Sequence, residues 1–229
     1  MTSNPVLVHL WMIGPDLQIP GKTSDFFDIL SVVEKDRATG FAIPEQRNRF
    51  IRRRLILRLV LGHSLDIPPA NISILADDNG KPFLDPGGPC FSLSASADWV
   101  AVALTDNHPV GIDIEEHRKI PDALKMAESF FHPDETSSLL QTKPDARDAA
   151  FLACWTRKEA VLKAHGTGLR AGLKSVNVGF SRFQKEGSVV LLENREFVLQ
   201  DVDMKHGAVA AIAVEGGNFT IVPKALPSL

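Results

Sequence analysis

Asp113 and Glu115 stand two residues apart in Gly111-Ile112-Asp113-Ile114-Glu115, and Glu159 and Lys163 stand four apart in Trp155-Thr156-Arg157-Lys158-Glu159-Ala160-Val161-Leu162-Lys163. β-Branched Val110, Ile112 and Ile114 alternate with other residues, so the first stretch predicts a strand with both carboxylates on one face. The second is rich in helix formers and has no Gly or Pro before Gly166, so it predicts a helix. At about 100° per residue, Trp155, Glu159 and Lys163 form a slowly drifting stripe. Carboxylates from a strand and a helix can hold a hard, oxygen-seeking cation such as Mg²⁺. A lysine beside them suits a phosphate on that cation. The combination points to phosphoryl or pyrophosphate chemistry. Each motif also has a plainer reading: a solvated strand face, a surface helix with i,i+4 pairs, and a core tryptophan. Their joint occurrence, with Gly166-Thr167-Gly168-Leu169 close behind, favours the site.

The rest of the chain bounds what such a site can serve. At 229 residues and 44% hydrophobic content, the chain can bury a substantial core, as one large domain or two small ones. Net charge is −3 and the pI about 6.2, which gives no basic bias toward nucleic acid. Cys90 and Cys154 lack metal-ligand spacing and read as reduced thiols of a cytoplasmic protein. The first residues carry no basic segment or cleavage site, so no signal peptide is expected. The apolar run at 55–61 is interrupted by Arg58 and is too short to span a membrane.

Hydrophobic periodicity and turn residues predict the elements that must position the site. A strand is expected at 6–13, a helix at 23–38 capped by Thr23 or Ser24, and a second helix opened by Pro44 and closed by Gly62. A short strand follows at 72–75, then a turn at Asp77-Asp78-Asn79-Gly80. Strands are expected at 90–94, 99–105 and 110–115, helices at 122–131, 133–141 and 144–165. Five strands close the chain, at 175–180, 188–192, 196–202, 208–214 and 219–222. Helices and antiparallel-looking strands in both halves give an α+β class. The division falls at residues 1–108 and 109–229, with no clear sequence repeat between the halves.

The first half's own signature is arginine: Arg47, Arg49, Arg52, Arg53, Arg54 and Arg58. They cannot share one helical face. Some can be merely solvated; as a group they can grip phosphates or meet an acidic protein surface. Lys81, after Gly80, is a further candidate phosphate ligand. Ser94 and Ser96 fit turn chemistry at a strand end equally well.

The two motifs together resemble the signature of Sfp-type 4′-phosphopantetheinyl transferases. The resemblance extends to Leu30-Ser31 with Glu34-Lys35-Asp36-Arg37, Arg49-Phe50 through Leu57-Arg58, Gly80-Lys81-Pro82, Phe91-Ser92-Leu93-Ser94, and Phe130-Phe131 with Glu135. It implies two similar α+β subdomains related by a pseudo-two-fold axis, with coenzyme A between them. It implies transfer of the 4′-phosphopantetheine arm of coenzyme A to a serine of an apo acyl or peptidyl carrier protein, releasing adenosine 3′,5′-bisphosphate. Asp113, Glu115 and Glu159 would then hold Mg²⁺, and Glu159 would be the base for the serine proton. Lys163 would act on the reacting phosphates, with Lys158 doing the same or facing solvent. Arg37, Arg49, Gly80, Lys81 and Ser94 would bind the nucleotide end of coenzyme A, including its 3′-phosphate. Family members of this size are often monomeric, so a monomer is expected, and the charge balance and short apolar runs give no expectation of nucleic acid or membrane as a partner. One departure stands out. The family commonly has histidine after the strand serine, touching a coenzyme A phosphate, where this chain has Ala95. Two other readings compete: a protein that holds coenzyme A or a carrier without transfer, and an unrelated Mg²⁺-dependent pyrophosphate hydrolase.

Overall fold

The computed structural model describes residues 4–17, 23–84, 88–168, 172–180, 187–204 and 207–227. Two four-stranded sheets meet edge to edge, each covered by one long helix. In the first, β1 (Val6–Ile13) is flanked by β10 (Phe219–Lys224) and β5 (Trp99–Thr105), and β4 (Cys90–Ser96) lies beyond β5. In the second the order is β6 (Val110–Glu116), β9 (Ala208–Glu215), β8 (Arg195–Val202) and β7 (Ser188–Leu192). In each half the first strand pairs antiparallel with the last, and the last with the one before it. That repetition is the expected pair of similar α+β units. β10 pairs parallel with β1, so the chain's final strand crosses the division expected at residues 108 and 109.

Helix α1 (Val32–Thr39) and helix α2 (Pro44–Leu65) cover the first sheet's side of the molecule. Helices α3 (Ala123–Phe130), α4 (Pro133–Gln141) and α5 (Arg147–His165) belong to the second half. A small hairpin of β2 (Ile74–Ala76) and β3 (Pro82–Leu84) reaches toward the second half through its turn.

Several boundaries differ from expectation for identifiable reasons. The first helix is not capped at Thr23 or Ser24. Residues Thr23–Ile29 form a 3₁₀ segment, and Ser31 begins a new helix with a capping box: its hydroxyl accepts from Glu34 N, and Glu34 accepts from Ser31 N. Gly62 does not end α2. The helix continues to Leu65 and stops at left-handed Asp66; glycine is needed at 62 because a Cβ there would lie 2.7 Å from the Ile67 carbonyl oxygen. The strand expected at 72–75 lies at Ile74–Ala76. The strand expected at 175–180 is absent among the described residues. Its buried backbone finds side-chain partners instead of a ladder: Val178 N donates to Glu135 Oε1, and Val176 O accepts from Lys158 Nζ. Leu169, from the motif behind the long helix, lies outside the described residues.

The halves share a buried apolar cluster drawn from β1, β5, β6 and β9, and beside it serines join the two sheet edges. On β4, alternate Ser92, Ser94 and Ser96 hydroxyls accept hydrogen bonds of 3.1, 3.3 and 3.1 Å from the backbone N–H groups of Ile112, Ile114 and Glu116 on β6. Side-chain oxygens thus replace a backbone ladder where the two sheets meet, and fix the register of β4 against β6.

Gly111 lets α5 approach that seam. A Cβ at this position would lie 2.0 Å from the Ala160 carbonyl oxygen and 2.4 Å from Ala164 N, so β6 and α5 touch backbone to backbone. Gly111→Ala is therefore expected to cost about 3 kcal/mol, the upper end of overpacking penalties, because no side chain can yield. Urea unfolding measures it. A loss below about 0.5 kcal/mol would mean that the two elements are not in such contact.

Candidate active site

The close contact of β6 and α5 puts Asp113, Glu115, Glu159 and Lys163 at one locus, beside β4. Asp113 is buried, and its Oδ1 accepts from Ser94 Oγ and Lys163 Nζ, both at 2.7 Å. Its Oδ2 is buried with no hydrogen-bond partner. Glu115 accepts from Ser96 Oγ at 2.9 Å and pairs with Arg118 at 2.5 Å. Lys163 Nζ also donates to Ser94 Oγ at 3.0 Å and to the Ile112 carbonyl at 3.1 Å, so all three of its protons are engaged within the protein. Glu159, half-buried one turn earlier, has no hydrogen-bond or ion-pair partner among the described residues.

The local field is short of positive charge. Burial raises the Asp113 pKa, and Lys163 and Ser94 offset that only in part. Burial, then the carboxylate of Asp113, then that of Glu115, raise Glu159, with Lys163 again opposing. Such a group of carboxylates gains from a cation. The donor set is all carboxylate oxygen, the chemistry Mg²⁺ prefers, and the orphaned Asp113 Oδ2 is an unused ligand. The residues therefore fit the ion, although no three acidic, His or Cys side chains among the described residues close around one point.

A cleft of about 270 Å³ opens beside this locus, lined by Gly80, Lys81, Phe91, Glu159, Lys163 and Gly166 among others. Lys81 crosses between the halves: its Nζ donates to the Ala164 carbonyl at 2.9 Å, at the C-terminal end of α5, where a cation suits the helix dipole. Burial lowers its pKa. Two of its three protons remain for a ligand. Gly166 ends α5 in the left-handed region, φ 93°, and leaves room for the Lys81 stem.

Not every expected ligand comes here. Lys158 is fully buried on another side of α5. It pairs with buried Glu135 at 2.5 Å and donates to the carbonyls of Leu173, at 3.0 Å, and Val176. It neither faces solvent nor reaches the cleft; it ties α4, α5 and the segment after Gly172 together. Arg49 lies on the opposite face of β4 from Ser94, near Ala95, and Arg37 stands apart from the cleft on α1. Arg37 lies over the Phe50 ring and Arg49 pairs with Glu45 and Asp98. Of the remaining α2 arginines, Arg58 is buried against Glu34 and the carbonyls of Pro69 and Ile72, Arg54 pairs with Glu34, and Arg52 donates to the carbonyls of Asp98, Gly14 and Leu17. These three are structural rather than free for an acidic partner surface.

The serine ladder escapes sequence reasoning that treats Ser94 and Ser96 as turn residues. Its signal was present, since Ser92, Ser94 and Ser96 alternate along one strand face. Glu135 carries no local sign of its partner on a distant helix.

Comparison with known proteins adds an independent line. The 4′-phosphopantetheinyl transferase superfamily model matches residues 109–213, which include β6 and α5. The chain is 33% identical over 213 residues to the 4′-phosphopantetheinyl transferase HetI of Nostoc sp. (strain PCC 7120), covering 91% of this chain and 88% of that protein. It is 32% identical to the putative 4′-phosphopantetheinyl transferase slr0495 of Synechocystis sp., covering 73% of this chain and 68% of that protein. It is 30% identical to the 4′-phosphopantetheinyl transferase Sfp of Bacillus subtilis (strain 168), covering 72% of this chain and 71% of that protein.

Proposed function

This chain belongs to the 4′-phosphopantetheinyl transferase superfamily, and from that membership and its site we propose that it moves the phosphopantetheine arm of coenzyme A onto a serine of an apo acyl or peptidyl carrier protein. Adenosine 3′,5′-bisphosphate is the other product. The observation that carries this reading is the convergence of Asp113, Glu115, Glu159 and Lys163 beside a cleft floored by Gly80-Lys81.

The nucleophile comes from the carrier, so the chain must position two substrates, offset phosphate charge and accept one proton. Glu159 is placed for the proton. It lacks a partner, faces the cleft, and holds a proton more readily than an ordinary glutamate. Ser94 and Ser96 orient Asp113 and Glu115, and the serine ladder keeps both carboxylates in register with β4. Asp113, Glu115 and Glu159 would hold Mg²⁺, which when bound supplies Lewis-acid neutralisation of the pyrophosphate. Lys163 adds positive charge at the same oxygens once it exchanges one internal hydrogen bond for a phosphate. Two free cysteines are in keeping with the cytoplasm. Among the described residues no helix is long and apolar enough to cross a membrane.

The first test is the release of adenosine 3′,5′-bisphosphate from coenzyme A and Mg²⁺, with and without an apo-carrier. Release only when the carrier is present, and stopped by EDTA, is the expected result. Carrier-independent release would mark a hydrolase, and no release with any carrier in a panel would favour a protein that only binds.

Lys81 and Lys163 divide binding from rate. Lys163→Ala is expected to lower kcat, because its charge lies beside Asp113 at the proposed reaction centre. Lys81→Ala is expected mainly to weaken coenzyme A affinity, because it sits further along the cleft. Steady-state kinetics separate the two effects. A Lys81 variant with unchanged affinity and reduced kcat would reverse the assignment.

A further inference from the structure

Two cations touch the acidic locus, and they are held differently. Lys163 donates to Asp113, Ser94 and the Ile112 carbonyl, so it is fixed from three sides. Arg118 stands at the rim, three residues beyond Glu115, with its side chain 49% exposed. Its Nη1 donates to Glu115 Oε2 at 2.5 Å and, at a longer 3.3 Å, to the Glu116 carbonyl. The backbone on either side is anchored. His117 N donates to the Gly207 carbonyl at 2.9 Å, which prolongs the pairing of β6 with β9. Ile120 is buried in the core cluster that includes residues of α3 and α5. The Arg118 side chain can therefore leave Glu115 without any movement of the strand, whereas Lys163 cannot leave Asp113 without giving up two further bonds.

Glu115 is the engaged member of the three carboxylates. Its Oε2 accepts from Arg118 and, at 2.9 Å, from Ser96 Oγ. Asp113 Oδ2 has no hydrogen-bond partner, and Glu159 has no hydrogen-bond or ion-pair partner among the described residues. The three carboxylates also do not close around one point. A divalent ion that draws on Glu115 Oε2 competes there with a guanidinium, because two cations close to one oxygen repel each other. In the absence of the ion, that guanidinium offsets a charge that Lys163 alone leaves standing.

We infer that Arg118 is a positioning residue that holds Glu115 while no divalent cation is bound and is displaced from it when the cation binds. The inference rests on the proposed assignment of Asp113, Glu115 and Glu159 to Mg²⁺. The Arg118–Glu115 bond lowers the affinity for the cation, since it is given up on binding, and it limits repulsion among the carboxylates when the cation is absent.

Titration of the full chain with Mn²⁺, which suits the same oxygen ligands as Mg²⁺, tests this without turnover, with the electron paramagnetic resonance signal of the free ion as the readout. Arg118→Ala is expected to bind Mn²⁺ about three- to fivefold more tightly than wild type, the factor that an exposed ion pair can supply. Arg118→Lys keeps a cation at the rim and is expected to stay near wild type. Lys119→Ala is the control. Lys119 is exposed, adjacent in the chain and paired with no carboxylate among the described residues, so its loss removes the same charge without touching Glu115. Its affinity is expected to match wild type. Weaker binding by Arg118→Ala would make the arginine a support for the site, and unchanged binding would make it a bystander; either result overturns the inference. An equal gain from Lys119→Ala overturns it too, because the general field and not the contact would then be responsible. In each of these cases wild type still binds Mn²⁺, and the assignment of the three carboxylates stands. A wild type that binds no Mn²⁺, with or without coenzyme A, overturns that assignment and the inference with it.

Discussion

Glu159→Gln is expected to lower carrier modification by about 10³-fold, within the usual range for removing a general base, without loss of fold. The substitution keeps the shape and removes the basic oxygen. No hydrogen bond depends on Glu159 among the described residues, so nothing structural is lost. Burial and the charges of Asp113 and Glu115 already disfavour its ionised form. A neutral amide relieves that repulsion, so thermal unfolding in metal-free buffer is expected at the wild-type temperature or slightly above. Turnover within tenfold of wild type at saturating coenzyme A would remove Glu159 from the chemistry. A large drop in melting temperature would instead give it a structural role.

Lys158→Met is expected to act in the opposite way, on stability. The methionine fills a similar volume but leaves Glu135 charged and buried, still facing the N–H groups of His132 and Val178. Breaking one side of such a pair typically costs about 3–5 kcal/mol. The carbonyls of Leu173 and Val176 lose their donor as well. Adding Glu135→Gln to Lys158→Met is expected to recover part of the loss, because the amide oxygen can still accept from one backbone N–H and no unpaired charge remains. Urea unfolding of the wild type, single variant and double variant measures both steps. A single variant within about 1 kcal/mol of wild type, or a double variant less stable than the single, would contradict the pairing.

These two adjacent residues mark what the sequence could and could not convey. Asp113 with Glu115, and Glu159 with Lys163, were legible as pairs because strand alternation and helical spacing place each pair on one side of its element; the contact of β6 with α5 brings the pairs together. Lys158 was not legible. Its helix is buried on several sides, so periodicity does not say which polar residue meets the cleft and which meets a buried partner. Only the approach of α4 assigns Glu135 to it. Gly111 was visible in its motif, but the reason for glycine is a helix backbone some fifty residues later. The arginines were visible as a group that cannot share a face, whereas sorting them required the positions of Glu34, Asp98 and three distant loops. The strand expected at 175–180 shows the converse error. Val176 and Val178 alternate as a strand would, and both are buried, but side chains rather than a neighbouring strand satisfy their backbone.

Arm transfer to a carrier is the central claim, and intact mass of the carrier tests it most directly. An apo-carrier incubated with the chain, coenzyme A and Mg²⁺ should gain the mass of one phosphopantetheine group. A carrier whose acceptor serine is replaced by alanine should gain nothing. An unmodified apo-carrier across a panel of acyl and peptidyl carriers, with wild-type protein shown by titration to bind coenzyme A, would contradict the account.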